Sequence, residues 1–270
     1  MPRCDAIQLI TGGLAALLLG TATVSAEAQL TRGFDTTAAA VANGEERQRQ
    51  PDLHVFEVQF KPVRMTYANV TDPQTGNVQR QQVWYLCYRT VNRSLATRAD
   101  ETDTKPVNVL DPLPGPTRFI PEFTLTTYDQ PGSETPGQEY VDVIVPEALA
   151  VINQVERRRS SDPVYRDSVK IVQPLPPAVP AEQTDVEWTY GVAVWTNVDP
   201  DTDFFKVFMR GFSNGYELRP GPDGENVTWR KTLVQEFARR GDRYDPNQLE
   251  FELVGAPQWV YLPDRAPEPQ

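Results

Sequence analysis

The longest run of apolar and aromatic positions after the N-terminal segment lies at 83–94 and ends in the polar triplet Asn92-Arg93-Ser94. Successive side chains of a β-strand point to opposite faces. The two faces would carry Trp84, Leu86 and Tyr88 on one side, and Val83, Tyr85 and Cys87 on the other. Because both faces are apolar, the pattern predicts a central strand that is covered on both sides. A buried helix is the alternative, although aromatic and β-branched residues favour a strand.

Alternating apolar positions predict a second long strand before this run. It opens at Val55 or Phe56, is interrupted by Lys61-Pro62, and continues over 63–70. The segment 71–77 contains Asp-Pro and Gly-Asn turn signals, which indicate a hairpin to the central strand.

Further strands and one helix follow along the chain. Strand patterns occur at 119–128, 140–145, 164–172, 188–196, 204–212, 227–238 and 249–253, and a helix competes with the strand only over 227–238. The segment 197–203 has a second hairpin signature. A helix is predicted over 146–159, with Leu149, Ile152 and Val155 as its apolar stripe and three arginines at its C-terminal end.

Composition and the N-terminal pattern predict an exported protein. The 270 residues carry a net charge of −11, which argues against a nucleic-acid partner because such binding needs a basic surface. Arg3, the apolar segment 7–24 and small residues at Ala26 and Ala28 are typical of a signal peptide at 1–28. A retained membrane anchor is the alternative. After cleavage we expect no stable membrane anchor and a periplasmic or extracellular location.

The predicted domain organisation follows from these patterns. Residues 29–52 show no apolar periodicity and are predicted to be a disordered spacer. Residues 53–262 are predicted to form a single β-sandwich domain, with a possible division near the Pro-rich segment 173–185. A disordered tail is predicted over 263–270. Signal cleavage would remove Cys4 and leave Cys87, so no intrachain disulfide is expected.

The sequence offers few candidates for chemistry. His54 is the single histidine, and neither a nucleophile motif, a zinc-ligand cluster nor a phosphate loop accompanies it. Asp199, Asp201 and Asp203 alternate within one loop and predict a calcium site. An EF-hand is rejected, because Phe204 stands at the position that needs glycine and Arg210 at the position that needs glutamate. No other cofactor is expected.

The strand patterns carry two resemblances. An apolar strand that ends in asparagine and a penultimate strand that starts with glycine stand at 84–92 and 191–195, with further strands at 119–128 and 204–211. This arrangement resembles immunoglobulin-like β-sandwich domains of bacterial exported proteins. Over 55–261 the chain is similar to uncharacterised exported proteins of planctomycete-type bacteria. The resemblance implies a mainly β, immunoglobulin-like antiparallel sandwich with one inserted α-helix and extra C-terminal strands, and it supplies no catalytic residues.

Three functions are compatible with these features. The leading hypothesis is an exported, non-enzymatic protein that binds or scaffolds an envelope protein or polymer through loops or a sheet edge. The first alternative is a carboxylate-based hydrolase acting on carbohydrate, which would need two acids facing each other in a groove. The second alternative is a small-ligand or glycan-binding module that uses exposed Trp and Tyr side chains.

Overall fold

The computed structural model describes residues 30–71, 75–95, 118–157, 159–221, 224–239, 241 and 249–264. These residues form mainly antiparallel β-structure with two helices. The elements are β1 (Thr36–Ala38), α1 (Gly44–Arg49), β2 (Val55–Phe60), β3 (Arg64–Thr71), β4 (Val78–Arg93), β5 (Arg118–Phe119), β6 (Glu122–Tyr128), β7 (Glu139–Val141), α2 (Pro146–Glu156), β8 (Gln173–Pro174), β9 (Thr189–Thr196), β10 (Phe204–Arg210), β11 (Tyr216–Pro220), β12 (Asn226–Ala238) and β13 (Glu252–Pro263). Within this part of the chain, neither helix is long and apolar enough to cross a membrane.

The first sheet is built around β4. The strands β2 and β3 pair with successive parts of one edge of β4, and β9 pairs with the other edge, where Trp195 lies opposite Trp84. The interruption at Lys61-Pro62 falls between β2 and β3, as the sequence indicated. The β3–β4 hairpin and the central position of β4 are both confirmed.

The second sheet has the order β7, β6, β10, β12 and β13, and β11 pairs with the part of β12 that precedes the β10 pairing. The predicted strand at 227–238 is confirmed as β12, whereas the helix alternative is wrong. A small third sheet joins β5 to β8. Pro121 lies between β5 and β6, where its missing N–H interrupts no pairing of β6.

Two apolar clusters cover the two faces of β4. Trp84, Leu86 and Tyr88 pack between the two large sheets, where the Trp84 ring lies 4.4 Å from that of Phe251. Val83, Tyr85 and Cys87 face the opposite side and pack beneath α2. Coverage of both faces explains why this strand lacks polar alternation.

The predicted spacer is wrong for the residues that form β1 and α1. The structure places residues 30–52, which we call the N-terminal segment, against both large sheets. Thr36 pairs with Phe60 of β2, and Asn43 caps α1 in a reciprocal capping box with Glu46. The indole of Trp259 in β13 donates to Ala39 O over 2.9 Å. Polar composition concealed this order, because the segment is held by backbone pairing and a few buried polar contacts and not by an apolar stripe.

The hairpin predicted at 197–203 is also wrong, because β9 and β10 belong to different sheets. The loop instead crosses from the first sheet to the second. A strand, a turn and another strand give the same local pattern in both arrangements. Both large sheets also contain strands from before and after 173–185, so a division there would cut through both.

Two local predictions need smaller corrections. The helix ends at Glu156, three residues earlier than predicted. Ile152 of the predicted stripe is buried and Leu149 packs against the same cluster, but the other buried side chains of the helix are Ala148 and Glu156. The second correction concerns 164–172, which forms turns and an isolated bridge instead of a strand. The signal peptide at 1–28 and residues 265–270 of the predicted tail lie outside the described residues.

Candidate binding groove on the second sheet

The outer face of the second sheet carries apolar side chains where polar ones are expected. In β10, Phe205, Val207 and Met209 point into the core, and the alternate positions point outward. Phe208 is one of these outward positions and is only partly buried. Its cross-strand neighbour Val234 of β12 shares the same face. The outer face is therefore partly apolar instead of uniformly solvated.

Four outward side chains form the floor of a depression of about 510 Å³, which we call the groove. They are Phe208, Val234, Val260 and Leu262. A β-bulge shapes one wall: the β12–β13 register shifts between Val234 and Glu236, and Gly255 has a φ of 67°. Bulges bend a strand locally, and glycine adopts positive φ without steric cost. The buried Gln235 amide donates to Val254 O over 3.0 Å and holds the bulge in place.

Polar groups occupy the rim of the groove. Lys206 Nζ lies 2.9 Å from Glu236 Oε1 and 4.8 Å from the centre of the Tyr128 ring. The Lys206 ammonium thus faces β12 and Tyr128. Burial raises the pKa of the Tyr128 hydroxyl, so this group stays a neutral hydrogen-bond donor at physiological pH.

A second depression, of about 480 Å³, adjoins the groove and shares Phe208 and Leu262 with it. Its distinctive polar lining is Glu122, Glu139, Asp142, Thr124, Thr126 and Arg210. We call this depression the acidic end. Arg210 lies opposite Glu122 in the β6–β10 pair, and its Nη2 donates to Pro263 O over 3.1 Å. Three carboxylates against one guanidinium make this end acidic.

Two side chains of the acidic end are buried polar groups. Thr126 is 2% exposed, and its hydroxyl has no hydrogen-bond partner among the described residues. Asp142 accepts from the Ser168 hydroxyl and from Phe123 N–H. Burial raises the pKa of Asp142, and the nearby charge of Glu122 adds to this effect, while the two hydrogen bonds oppose it.

The predicted calcium loop lines a third depression, of about 300 Å³, which is joined to the groove at Tyr128. Asp199 Oδ1 accepts from Asp201 N over 2.9 Å, and Asp203 Oδ1 lies 3.4 Å from Arg239 Nε. In the described ranges, no group of three or more His, Cys, Asp or Glu residues could hold a metal ion. The calcium site at Asp199, Asp201 and Asp203 stays a prediction.

Another cluster of charged side chains lies beneath α2 and is closed to solvent. Glu156 Oε2 lies 2.7 Å from Lys61 Nζ, and Glu156 Oε1 lies 2.5 Å from Arg64 Nη1 and accepts from Tyr85 over 2.9 Å. The carboxylate side chain is 0% exposed. Burial raises the pKa of the adjacent Cys87 thiol well above its ordinary value, which makes it inert. This cluster therefore links α2 to β3 and β4 of the first sheet.

His54 directly precedes β2. Its backbone N–H donates to Asn214 Oδ1 over 2.7 Å, and its ring meets Phe56 edge-on. Burial lowers the pKa of His54, with a smaller opposing effect from Asp52. The imidazole is a packed, neutral side chain.

Sequence reasoning missed the groove because apolar strand residues are normally assigned to the core. Two signals pointed to it. Phe208 occupies a position in β10 where its neighbours on the same face, Lys206 and Arg210, are charged. In β13, Val260 and Leu262 alternate with Trp259 and Tyr261, so both faces of that strand are apolar.

No family model, curated protein or solved structure matches this chain. The mainly β, antiparallel architecture is therefore assigned from the structure alone. A fold alone does not imply an activity, so the chemistry of the groove is the basis for a function.

Proposed function

We propose that this protein is exported and non-enzymatic, and that it binds an extended, apolar segment of an envelope protein in the groove. The observation that carries the proposal is the apolar floor formed by Phe208, Val234, Val260 and Leu262. Export rests on the N-terminal pattern of 1–28 alone. The binding surface is a sheet face, and not the loops or sheet edge that the sequence favoured.

An uncovered apolar floor with a polar rim is the usual composition of a binding surface. Burying each methylene of a ligand contributes about 0.8 kcal/mol, and four floor side chains offer several such contacts. The Tyr128 hydroxyl and the Lys206–Glu236 pair stand at the rim. These groups can form hydrogen bonds with the peptide groups of a protein partner. A purely hydrocarbon ligand has no polar groups that would use them.

The immunoglobulin-like arrangement is proposed for the sandwich as well. Two antiparallel sheets that face each other across one apolar cluster support it. The additional α2 and the strands beyond Gly215 would be elaborations on that plan.

The glycan-binding alternative receives less support from the aromatic side chains. Sugar binding uses open aromatic faces, whereas the Arg89 guanidinium lies 4.3 Å from the Trp188 ring and Arg219 lies 4.2 Å from Trp229. Trp84 and Trp195 are buried in the core.

The hydrolase alternative has one observation in its favour, the raised pKa of Asp142 beside Glu122. Hydrolysis of chromogenic glycosides that is lost in Asp142→Asn would support it. Equal release by wild type and Asp142→Asn would reject a catalytic Asp142.

The proposed binding is tested with a fluorescein-labelled peptide of alternating valine and threonine that ends in lysine. Fluorescence anisotropy gives the Kd for wild type, Val260→Glu and Phe208→Ser, and thermal unfolding confirms that each variant is folded. Both floor variants should raise the Kd at least about tenfold. The matched control is Leu218→Glu, because Leu218 is a 52%-exposed residue of the same sheet outside the groove lining. Absence of binding, or equal Kd values for wild type and both floor variants, would overturn the proposal.

A further inference from the structure

We propose that the acidic end is a specificity pocket for the ammonium group of a lysine side chain on the bound segment. The inference rests on the proposed function, because the acidic end is the continuation of the groove. It adds a requirement that the apolar floor does not impose: the segment must carry a lysine beside its apolar residues.

Continuity between the two depressions places the pocket within reach of a bound segment. Phe208 and Leu262 line both, so a side chain that crosses them passes from the apolar floor to the carboxylates. Lysine has a long apolar stem that packs on apolar surface while its ammonium reaches a polar site. Val141, which lines the acidic end and is 57% exposed, offers a further apolar contact for that stem.

The charges at this end select a cation. Glu122, Glu139 and Asp142 face the depression with Arg210 as the opposing charge, and the Arg210 guanidinium already donates to Pro263 O. Lys206 lies next to Thr126 in the β6–β10 pair, but its ammonium is paired with Glu236 and lies over Tyr128. An anionic ligand would meet net repulsion here.

An unsatisfied buried hydroxyl is the second, independent observation. Thr126 is 2% exposed and lines the acidic end, and its Oγ1 lacks a hydrogen-bond partner in the described part of the chain. Buried polar groups are nearly always paired in folded proteins. An ammonium has three donors, which can be shared between the Thr126 hydroxyl and the carboxylate of Glu139, the residue opposite Thr126 in the β6–β7 pair. A planar guanidinium fork pairs best with the two oxygens of one carboxylate, so a site made of a hydroxyl and a carboxylate favours lysine over arginine.

The experiment compares two peptides that differ only in charge. Both have the labelled valine–threonine core, and one ends in lysine while the other ends in Nε-acetyl-lysine. The Kd of wild type for the lysine peptide should be at least about tenfold lower than its Kd for the acetyl-lysine peptide. Glu139→Gln and Thr126→Val should each reduce that ratio, because they should raise the Kd of the lysine peptide more than the Kd of the acetylated peptide. Asp129→Asn is the matched control, because Asp129 is an exposed acid directly after β6 that lines neither the groove nor the acidic end.

The possible outcomes separate the two proposals. Equal Kd values for the two peptides in wild type would overturn the ammonium pocket while leaving the groove intact. An equal loss of preference in Asp129→Asn and Glu139→Gln would also overturn it, because the effect would then be general electrostatics. Failure of both peptides to bind would overturn the groove and the pocket together.

Discussion

Replacing Glu156 by glutamine tests whether the charge cluster beneath α2 stabilises the fold. The change keeps the size of the side chain and removes one negative charge that serves two cations. Lys61 and Arg64 are 3% and 1% exposed in their side chains. Among the described residues, the other groups close to Lys61 Nζ are the rings of Phe34 and Tyr165, whose centres lie 5.1 and 5.7 Å away.

The expected cost follows from this burial. Removing one partner of a buried ion pair costs about 3–5 kcal/mol, because an uncompensated charge is left behind. Arg64 keeps a second partner, since its Nε lies 3.1 Å from Glu250 Oε2, so we expect a value near the lower limit. In a domain of this size, about 3 kcal/mol corresponds to a fall in Tm of roughly 6–12 °C. Urea unfolding followed by tryptophan fluorescence measures the loss directly.

Glu217→Gln is the matched control. Glu217 also serves two cations, Arg49 and Arg219, at 2.9 Å each, but these side chains are 40% and 43% exposed. Exposed pairs contribute about 0–1 kcal/mol. A loss below about 1 kcal/mol for Glu156→Gln, or equal losses for the two variants, would refute the reasoning that burial sets the magnitude.

Acid should remove the same contribution. Burial alone would raise the pKa of Glu156, but the charges and hydrogen bonds of Arg64 and Lys61 outweigh it and lower the pKa below 4.5. A lowered folded-state pKa gives stability that is present above the unfolded pKa and is lost as pH falls through the folded value. The difference in unfolding free energy between wild type and Glu156→Gln should therefore shrink below pH 4.5. A constant difference down to pH 2 would contradict this.

Three further outcomes are expected. Gly191→Ala should lower stability by about 1–3 kcal/mol, because a Cβ there would overlap the Tyr88 ring; an unchanged Tm would show that the ring can move aside. Lys231→Met should raise hydrogen exchange and protease cleavage in the N-terminal segment, since Lys231 Nζ holds Glu46 Oε1 at 2.6 Å, and wild-type protection in the variant would contradict this anchoring. Calcium added to chelated protein should raise the Tm if the loop at 199–203 binds it, and an unchanged Tm would reject the site.

The local sequence pattern was sufficient to predict the burial of a single strand. The two apolar faces of β4 required cover on both sides, and the structure supplies it with Phe251 on one face and Ile152 on the other. The interruption at Lys61-Pro62 was also readable, because proline cannot continue a paired strand. The ion pair that Lys61 forms could not be predicted from the local sequence, because its partner Glu156 lies 95 positions away in the chain.

One candidate site could be predicted from the local sequence, and the other two could not. The loop with Asp199 was visible as a spacing of carboxylates, whereas the groove depends on β10, β12 and β13 lying side by side. The acidic end further requires β7 beside β6, because Asp142 follows β7 and Thr126 belongs to β6. No local pattern contains those adjacencies.

The sequence by itself determined the β-rich character of the chain, the positions of most strands and the double-sided burial of β4. It did so because side-chain alternation and turn chemistry act over a few residues. Only the tertiary structure decided that β9 and β10 belong to different sheets and that the N-terminal segment packs against both. It also decided that Phe208 and Leu262 lie, partly buried, on the outer face of the second sheet. Those outcomes depend on which strand edges pair and which sheet faces pack together. The residues involved are far apart in the chain, so the pairing is determined by all tertiary contacts together and not by a local pattern.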